Sequence, residues 1–165
     1  LAAARRCQDA GFLTAFHFDP IIHMPGWEAA YDRSVETIFD TVDARRIAWI
    51  SLGAFRFAPP LKPVLARRFP KSDILYEEMI RGLDGKMRYP RPLRTAMFSR
   101  IYQAIRKRSK DVFVYFCMEP PWVWERVMGW TPEDNADLDY RFAESLYNRF
   151  PDLDLDEPVR GDYWE

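Results

Sequence analysis

The chain has 165 residues, long enough for one domain with a real core and too short for two comfortable ones. Hydrophobic residues make up 48% and aromatics 16%, which excludes a disordered segment, and no apolar run nears the roughly 20 residues of a membrane span. The net charge of −1 hides a lopsided distribution: residues 56–110 carry 15 Lys and Arg against 4 Asp and Glu, and residues 111–165 carry 4 against 14. Such asymmetry suits a basic face for a polyanion with an acidic tail elsewhere; mutual neutralisation of the two blocks across the fold is the other reading. No signal-peptide pattern is present, and Cys7 and Cys117 lie far apart without metal-ligand spacing. A reduced, cytoplasmic protein away from membranes is expected. The chain opens on Leu1 inside an apparent helix, without an initiator methionine, so a fragment of a longer protein is expected.

Residues 2–10 read as the end of a helix stopped at Gly11. Residues 12–18 follow as a strand whose near-continuous apolar content (Phe12, Leu13, Ala15, Phe16, Phe18) fits a parallel strand covered on both faces. His17 within it reads first as a satisfied core histidine and second as a ligand. Trp27, Tyr31, Val35, Ile38 and Val42 recur three and four apart, which predicts an amphipathic helix over 27–42 with Glu28, Asp32, Arg33, Glu36 and Asp40 on the other side. Residues 47–52 form a second buried strand, closed by Gly53 and the exit Phe55-Arg56-Phe57. Pro59 and Pro60 open a helix over 61–68.

Residues 73–80 look extended and run into a tight turn at Asp84-Gly85, giving a β-hairpin near residues 74–90. A long helix over 92–108 buries Leu93, Met97, Ile101 and Ile105, with Arg94, Arg100, Arg106, Lys107 and Arg108 on the exposed side and at the C-terminal end, where cations favour the macrodipole. Residues 112–117 are a third buried strand, and a helix carrying Trp122, Val123, Val127 and Met128 stops at Gly129. Thr131 as N-cap with Pro132 in the first turn predicts a last helix over 132–148, followed by a loosely held acidic end from Asp152. Strands spaced by helices imply right-handed crossovers and a parallel sheet, hence an α/β fold. Three such strands make a poor complete sheet and suit the last portion of a larger one.

Ligands of parallel α/β folds sit beyond the carboxyl ends of the strands. Those ends carry Asp19, Ser51 to Gly53 with Arg56, and Cys117-Met118-Glu119. Asp19 and Glu119 could hydrogen-bond a ribose or an amino group, or act as acid and base. Capping of the next helix is the simpler reading for Glu119, and the two readings stand level for Asp19. Cys117 reads as a buried structural cysteine before a radical or nucleophilic thiol. Around the Asp84-Gly85 turn stand Arg81, Lys86, Arg88 and Arg91, with Tyr89 among them. Four cations and a stackable ring suit a phosphate backbone with an exposed base; a solvated turn is the alternative. No Ser-His-Asp set, glycine-rich phosphate loop, zinc spacing or iron–sulfur cysteine run is present.

A series of stretches carries a family likeness: Ala10-Gly11-Phe12, Phe18-Asp19-Pro20-Ile21-Ile22, Gly26-Trp27-Glu28, Tyr31, Arg46 to Gly53, and Phe55-Arg56-Phe57. It continues through Arg68-Phe69-Pro70, Asp84-Gly85-Lys86-Met87-Arg88-Tyr89 and Val114 to Glu119. In order and spacing these resemble the second half of spore photoproduct lyase and its broader relatives, which are radical S-adenosylmethionine enzymes. The resemblance implies that residues 1–130 are the C-terminal part of a partial (β/α) barrel of the radical SAM type with a hairpin insertion. Residues 131–165 would then be a helical, acidic C-terminal extension. It implies S-adenosylmethionine as cofactor and a four-iron, four-sulfur (4Fe-4S) cluster held by three cysteines upstream of this chain. Reductive cleavage would give a deoxyadenosyl radical that abstracts hydrogen from a thymine photodimer in DNA.

By the same resemblance Asp19 falls where a strand end approaches S-adenosylmethionine, and Ser51 lies on a neighbouring strand end. Lys86 and Gly85 match the family's DNA-facing hairpin, Arg81 falls at its arginine position, and Arg88 and Tyr89 complete the expected DNA-binding set. Gly82 stands in place of a tyrosine. Cys117 is not the family's upstream hydrogen-donor cysteine. Other readings remain: a radical SAM relative with a different substrate, a non-catalytic nucleic-acid-binding module, and an α/β enzyme using Asp19 and Glu119 as acid and base.

Overall fold

The strand Ile47–Ala54 is apolar except for Ser51 and almost wholly buried, the composition of a strand flanked on both edges and covered on both faces. The structure, a computed structural model, describes residues 1–164. In chain order its elements are α1 (Ala2–Asp9), β1 (Thr14–Ile21), α2 (Trp27–Thr41), β2 (Ile47–Ala54), β3 (Arg56–Phe57) and α3 (Lys62–Arg68). There follow β4 (Ile80–Arg81), β5 (Met87–Arg88), α4 (Arg91–Arg108), β6 (Phe113–Phe116), α5 (Pro121–Met128) and α6 (Asn135–Arg149). β2 is the middle of a parallel sheet of order β1-β2-β6, and β3, β5 and β4 form a small antiparallel sheet in that order. The arrangement is mixed α/β with a parallel three-stranded sheet. Among the described residues no helix is long and apolar enough to cross a membrane.

Side chains alternate along each strand, so the parallel sheet has two distinct faces. One carries Phe18, Leu52 and Phe116 and packs on α2 and α4, whose buried stripes are Val35 and Ile38, and Met97, Phe98, Ile101 and Ile105. Phe98 and Phe116 pack at a tilt with ring centroids 4.7 Å apart, and Phe18 meets Tyr31 edge-on. Each fully buried aliphatic or aromatic side chain here stabilises the fold by about 1.5–3 kcal/mol. Ion pairs Asp32–Arg100 and Asp40–Arg108 tie the wet edges of the two helices together.

The opposite face is covered at its base by α6. Phe142 packs against Trp49, Phe113 and Tyr115, and Arg149 donates to the carbonyls of Ile47 and Ala48 at the start of β2. α6 begins three residues later than Thr131-Pro132 suggested, because Asp134 is the cap. Its carboxylate accepts from the Asp137 amide at 2.8 Å while Asp137 accepts from the Glu133 amide at 3.1 Å, a reciprocal cap. The acidic end is not loose either: Arg160 pairs with Asp137 and Glu133, and the Trp164 indole donates to Asp134.

Two further expectations are corrected. β1 is not covered on both faces; it is paired only with β2 among the described residues, every residue of it before Ile21 is half-buried or exposed, and His17 is exposed rather than core. Residues 73–80 are not one extended strand. Ser72 accepts a hydrogen bond from the Ile74 amide and starts a 3-10 turn over Asp73–Leu75, so only Ile80–Arg81 remains to pair with β5.

Burial pushes the Asp137 carboxylate up, but hydrogen bonds from Arg141 and the Glu133 amide, with the charges of Arg141 and Arg160, outweigh it and hold the group below its ordinary range. A folded-state pKa below the unfolded one adds stability that is present above about pH 4 and lost as pH falls through the folded value. Asp137→Ala is expected to cost about 1–3 kcal/mol at pH 7. Urea unfolding of parent and variant at pH 7 and near pH 2.5 checks this, with the gap narrowing at the lower pH.

Candidate functional site

Above Phe142 the second face of the sheet turns polar at the carboxyl ends of its strands. The register sets His17, Ser51 and Tyr115 in one row, with Asp19, Gly53 and Cys117 two residues further along. His17 Nδ1 lies 2.6 Å from Ser51 Oγ. Burial raises the Tyr115 phenol pKa against the opposing hydrogen bond from Ser51. The Ser51 hydroxyl is thus engaged by His17 of β1, with Tyr115 of β6 beside it in the register, and the residue is buried.

Asp19 lies directly over Gly53. A Cβ at position 53 would stand 2.6 Å from Asp19 Cγ, closer than such atoms approach, so the glycine is what lets the carboxylate rest on the sheet. Arg56, the first residue of β3, brings Nη1 to 3.5 Å from Asp19 and Nη2 to 3.4 Å from Cys117 Sγ. Burial, then the hydrogen bond with Asp19, pushes the Cys117 thiol up, and Arg56 offsets this only in part. The group is a neutral, half-buried thiol among polar neighbours, not the structural core cysteine expected.

The hairpin closes over this end of the sheet. Gly85 takes φ +77°, its amide donates to the Gly82 carbonyl, and the Asp84 carboxylate accepts from the Lys86 amide, so the Asp-Gly pair makes the turn its sequence promised. Because β3 pairs with β5, Lys86 is carried beside Arg56. Together with Asp19, Pro20, Phe57 and Leu61 they line a cleft of about 400 Å³. Of the residues singled out in the sequence, Asp19 and Lys86 therefore meet in one cleft, and Ser51 lies beneath its floor on the same face.

Arg81 and Arg88 border a separate cleft on the other side of the hairpin. Arg81 is exposed, whereas Arg88 is 8% exposed and bonded to Asp84 at 2.5 Å. A Cβ on Gly82 would lie 2.6 Å from Arg88 Nε, so Arg88 occupies the space that any side chain at position 82 would need. Tyr89 is corrected outright: it is 0% exposed, its hydroxyl accepts from the His23 amide, and its ring packs against His23 and Phe55. It has no face to offer a base. Glu119 is likewise no acid–base partner for Asp19, since it is buried, faces the hairpin's other cleft and is ion-paired with Arg94 at 3.3 Å. Sequence reasoning missed Tyr115, for which a tyrosine two residues before Cys117 on a strand was the available signal. Arg94 is corrected: expected on the exposed side of its helix, it is 3% exposed, because Glu119 and the Tyr89 carbonyl supply partners in the interior.

No protein-family model matches this chain, and no curated protein matches it in sequence. Solved structures of spore photoproduct lyase are similar to it. The lyase complexed with dinucleoside spore photoproduct aligns at TM-score 0.59 and 23% identity over 70% of this chain and 37% of that one. A mutant of the lyase aligns at TM-score 0.62 and 24% identity over the same shares. A double mutant with bound AdoMet and dinucleoside spore photoproduct aligns at TM-score 0.59 and 23% identity. The chain thus spans 37% of the lyase chains it matches, and the likeness read from the sequence is present in the fold.

Gly53→Ala should cost about 1–3 kcal/mol by driving Asp19 off the sheet. In an Asp19→Ala background the same change should cost far less, and a double-mutant cycle by denaturant unfolding reads that coupling. Additive losses would mean that Asp19 does not rest on Gly53. At pH 8, iodoacetamide should label exposed Cys7 well before Cys117, as followed by mass spectrometry, because only the thiolate reacts.

Proposed function

We propose that this chain is the C-terminal part of a radical S-adenosylmethionine enzyme that, in the manner of spore photoproduct lyase, repairs a thymine photodimer in DNA. The observation that carries the reading is the cleft where Lys86 of the hairpin meets Asp19 of the strand end, on a fold similar to the lyase's. That lyase binds a dinucleoside spore photoproduct, and one of its structures also holds AdoMet, which supports a DNA substrate and S-adenosylmethionine here.

The residues present fit the cofactor's polar parts. Asp19, held over Gly53 with one side open to the cleft, can accept from a ribose hydroxyl or an ammonium group. Ser51 would serve at one remove, by fixing the ring of His17. They do not fit the cluster: among the described residues no group of three His, Cys, Asp or Glu is placed to hold a metal ion, so the cluster ligands would come from residues upstream of this chain. Bound and reductively cleaved, S-adenosylmethionine supplies the hydrogen-abstracting radical. What this chain contributes is orientation, with Asp19 and Arg56 setting the charge at the strand ends and Lys86 and Arg81 taking phosphates on either side of the hairpin. Free thiols at Cys7 and Cys117 support a reducing, cytoplasmic setting.

A radical SAM relative with a different substrate is favoured by one observation. Arg88 fills the volume beside Gly82, where the resemblance leads one to expect a tyrosine, so the hairpin's substrate-facing shape is its own.

Lys86→Ala with Arg81→Ala is expected to weaken binding of single-stranded DNA about tenfold and to lower the slope of log affinity against log salt by about 1.4, as two lost phosphate contacts should. Fluorescence anisotropy across a salt series measures both, and an unchanged slope would remove the hairpin from DNA binding.

A further inference from the structure

The cleft on the far side of the hairpin, between β4–β5 and the Met118–Trp122 turn, enters the function proposed above only through Arg81 on its lip. It measures about 540 Å³, within the range of small-ligand sites. Its carboxylates are already neutralised, Asp84 by Arg88 and Glu119 by Arg94. Arg81 on one lip and Arg91 on the other are exposed and make no ion pair among the described residues, so the mouth carries two uncompensated cations. Arg91 is held in place by stacking, its guanidinium carbon 4.7 Å from the centre of the Trp122 ring.

Between these cations the walls are apolar and wet. Leu83 at the hairpin tip is fully exposed, and Met118, with a left-handed φ of +60°, is 56% exposed. Arg88 also lines the cleft, and its Nε, enclosed beside Gly82, is a buried side-chain nitrogen with no hydrogen-bond partner among the described residues, an arrangement that costs free energy. Paired cations flanking flexible apolar side chains match one chemistry above others: an anionic phosphodiester joined to a flat, weakly polar ring.

We propose that this cleft binds the nucleotide flanking the one that reacts, with its phosphodiester between Arg81 and Arg91 and its base against Leu83, Met118 and Trp122. The proposal rests on the DNA reading above and deepens it: the hairpin divides the strand, with the reacting unit on the Lys86 side and its neighbour on the Arg91 side. Lys86 serves the first cleft alone, so the two sides can be separated by substrate length.

The test compares the affinity of the chain for a hexathymidylate strand and for a thymidine dinucleotide, by calorimetry or anisotropy at fixed salt. Arg91→Glu, and separately Leu83→Ser with Met118→Ser, alter exposed side chains and should leave the melting curve in place. Each is expected to weaken hexamer binding about tenfold while changing dinucleotide binding less than twofold. Lys86→Ala should weaken both ligands alike. Hexamer affinity unchanged in Arg91→Glu, with Lys86→Ala still effective, would overturn the flanking site and leave the DNA reading standing. Loss of both ligands equally in Arg91→Glu would also overturn it, since the site would then not be a neighbour. If the parent chain binds neither ligand, this proposal and the DNA reading fall together.

Discussion

The buried pair Arg94–Glu119 fixes the geometry on which the candidate site depends. Both side chains are almost wholly buried, at 3% and 2% exposure. Burial pushes the Glu119 carboxyl up and the Arg94 guanidinium down, and each is opposed chiefly by the other's charge. Removing one partner would strand a charge in the interior, a loss of about 3–5 kcal/mol in comparable pairs. Arg94 also donates to the Tyr89 carbonyl at 2.5 Å and lies over Trp122. One guanidinium therefore joins the end of the hairpin, the first turn of α4, the end of β6 and the start of α5. The left-handed Met118 makes this compatible with the sheet, because it breaks strand alternation and lets Cys117 face Asp19 while Glu119 turns to Arg94.

What was readable in the sequence was what local periodicity controls. The stripes on α2 and α4, the apolar run of β2 and the Asp84-Gly85 turn all follow from spacing or from one residue's backbone freedom. The errors fall where a distant residue decides. Tyr89 sits in a basic loop and looked like a stacking surface, but its environment comes from His23 and Phe55, 66 and 34 positions away. Thr131-Pro132 had the chemistry of a helix start, and Asp134 displaced it because Asp137 could return the cap. β1 had a doubly covered composition, yet Phe142 packs on β2 and β6, and every residue of β1 before Ile21 stays half-buried or exposed.

The candidate site was legible in its residues and not in its geometry. Asp19 and Lys86 could be named singly, from a strand end and from the family resemblance. Their meeting depends on Gly53, which admits the Asp19 carboxylate, and on the β3–β5 pairing, which no periodicity in a two-residue strand can announce.

The charge asymmetry also resolves into something more specific than either reading of it. The acidic C-terminal block does not neutralise the basic one: Asp137 is served by Arg141 and Arg160 within its own block, and Arg100 and Arg108 are served by Asp32 and Asp40 of α2. Arg94 with Glu119 is the exception, and that pair is internal. Once these partners are matched, Lys62, Arg67, Arg68, Lys71, Arg81, Lys86 and Arg91 are left without ion pairs among the described residues, as are Arg106, Lys107 and Lys110 around the C-terminal end of α4. The first seven belong to segments that leave or re-enter the sheet at its carboxyl end. The larger share of the basic block's unpaired positive charge thus stands around the end of the sheet where Asp19, Arg56 and Cys117 lie, and a polyanion drawn there by the long-range field would arrive at the mouth of the cleft.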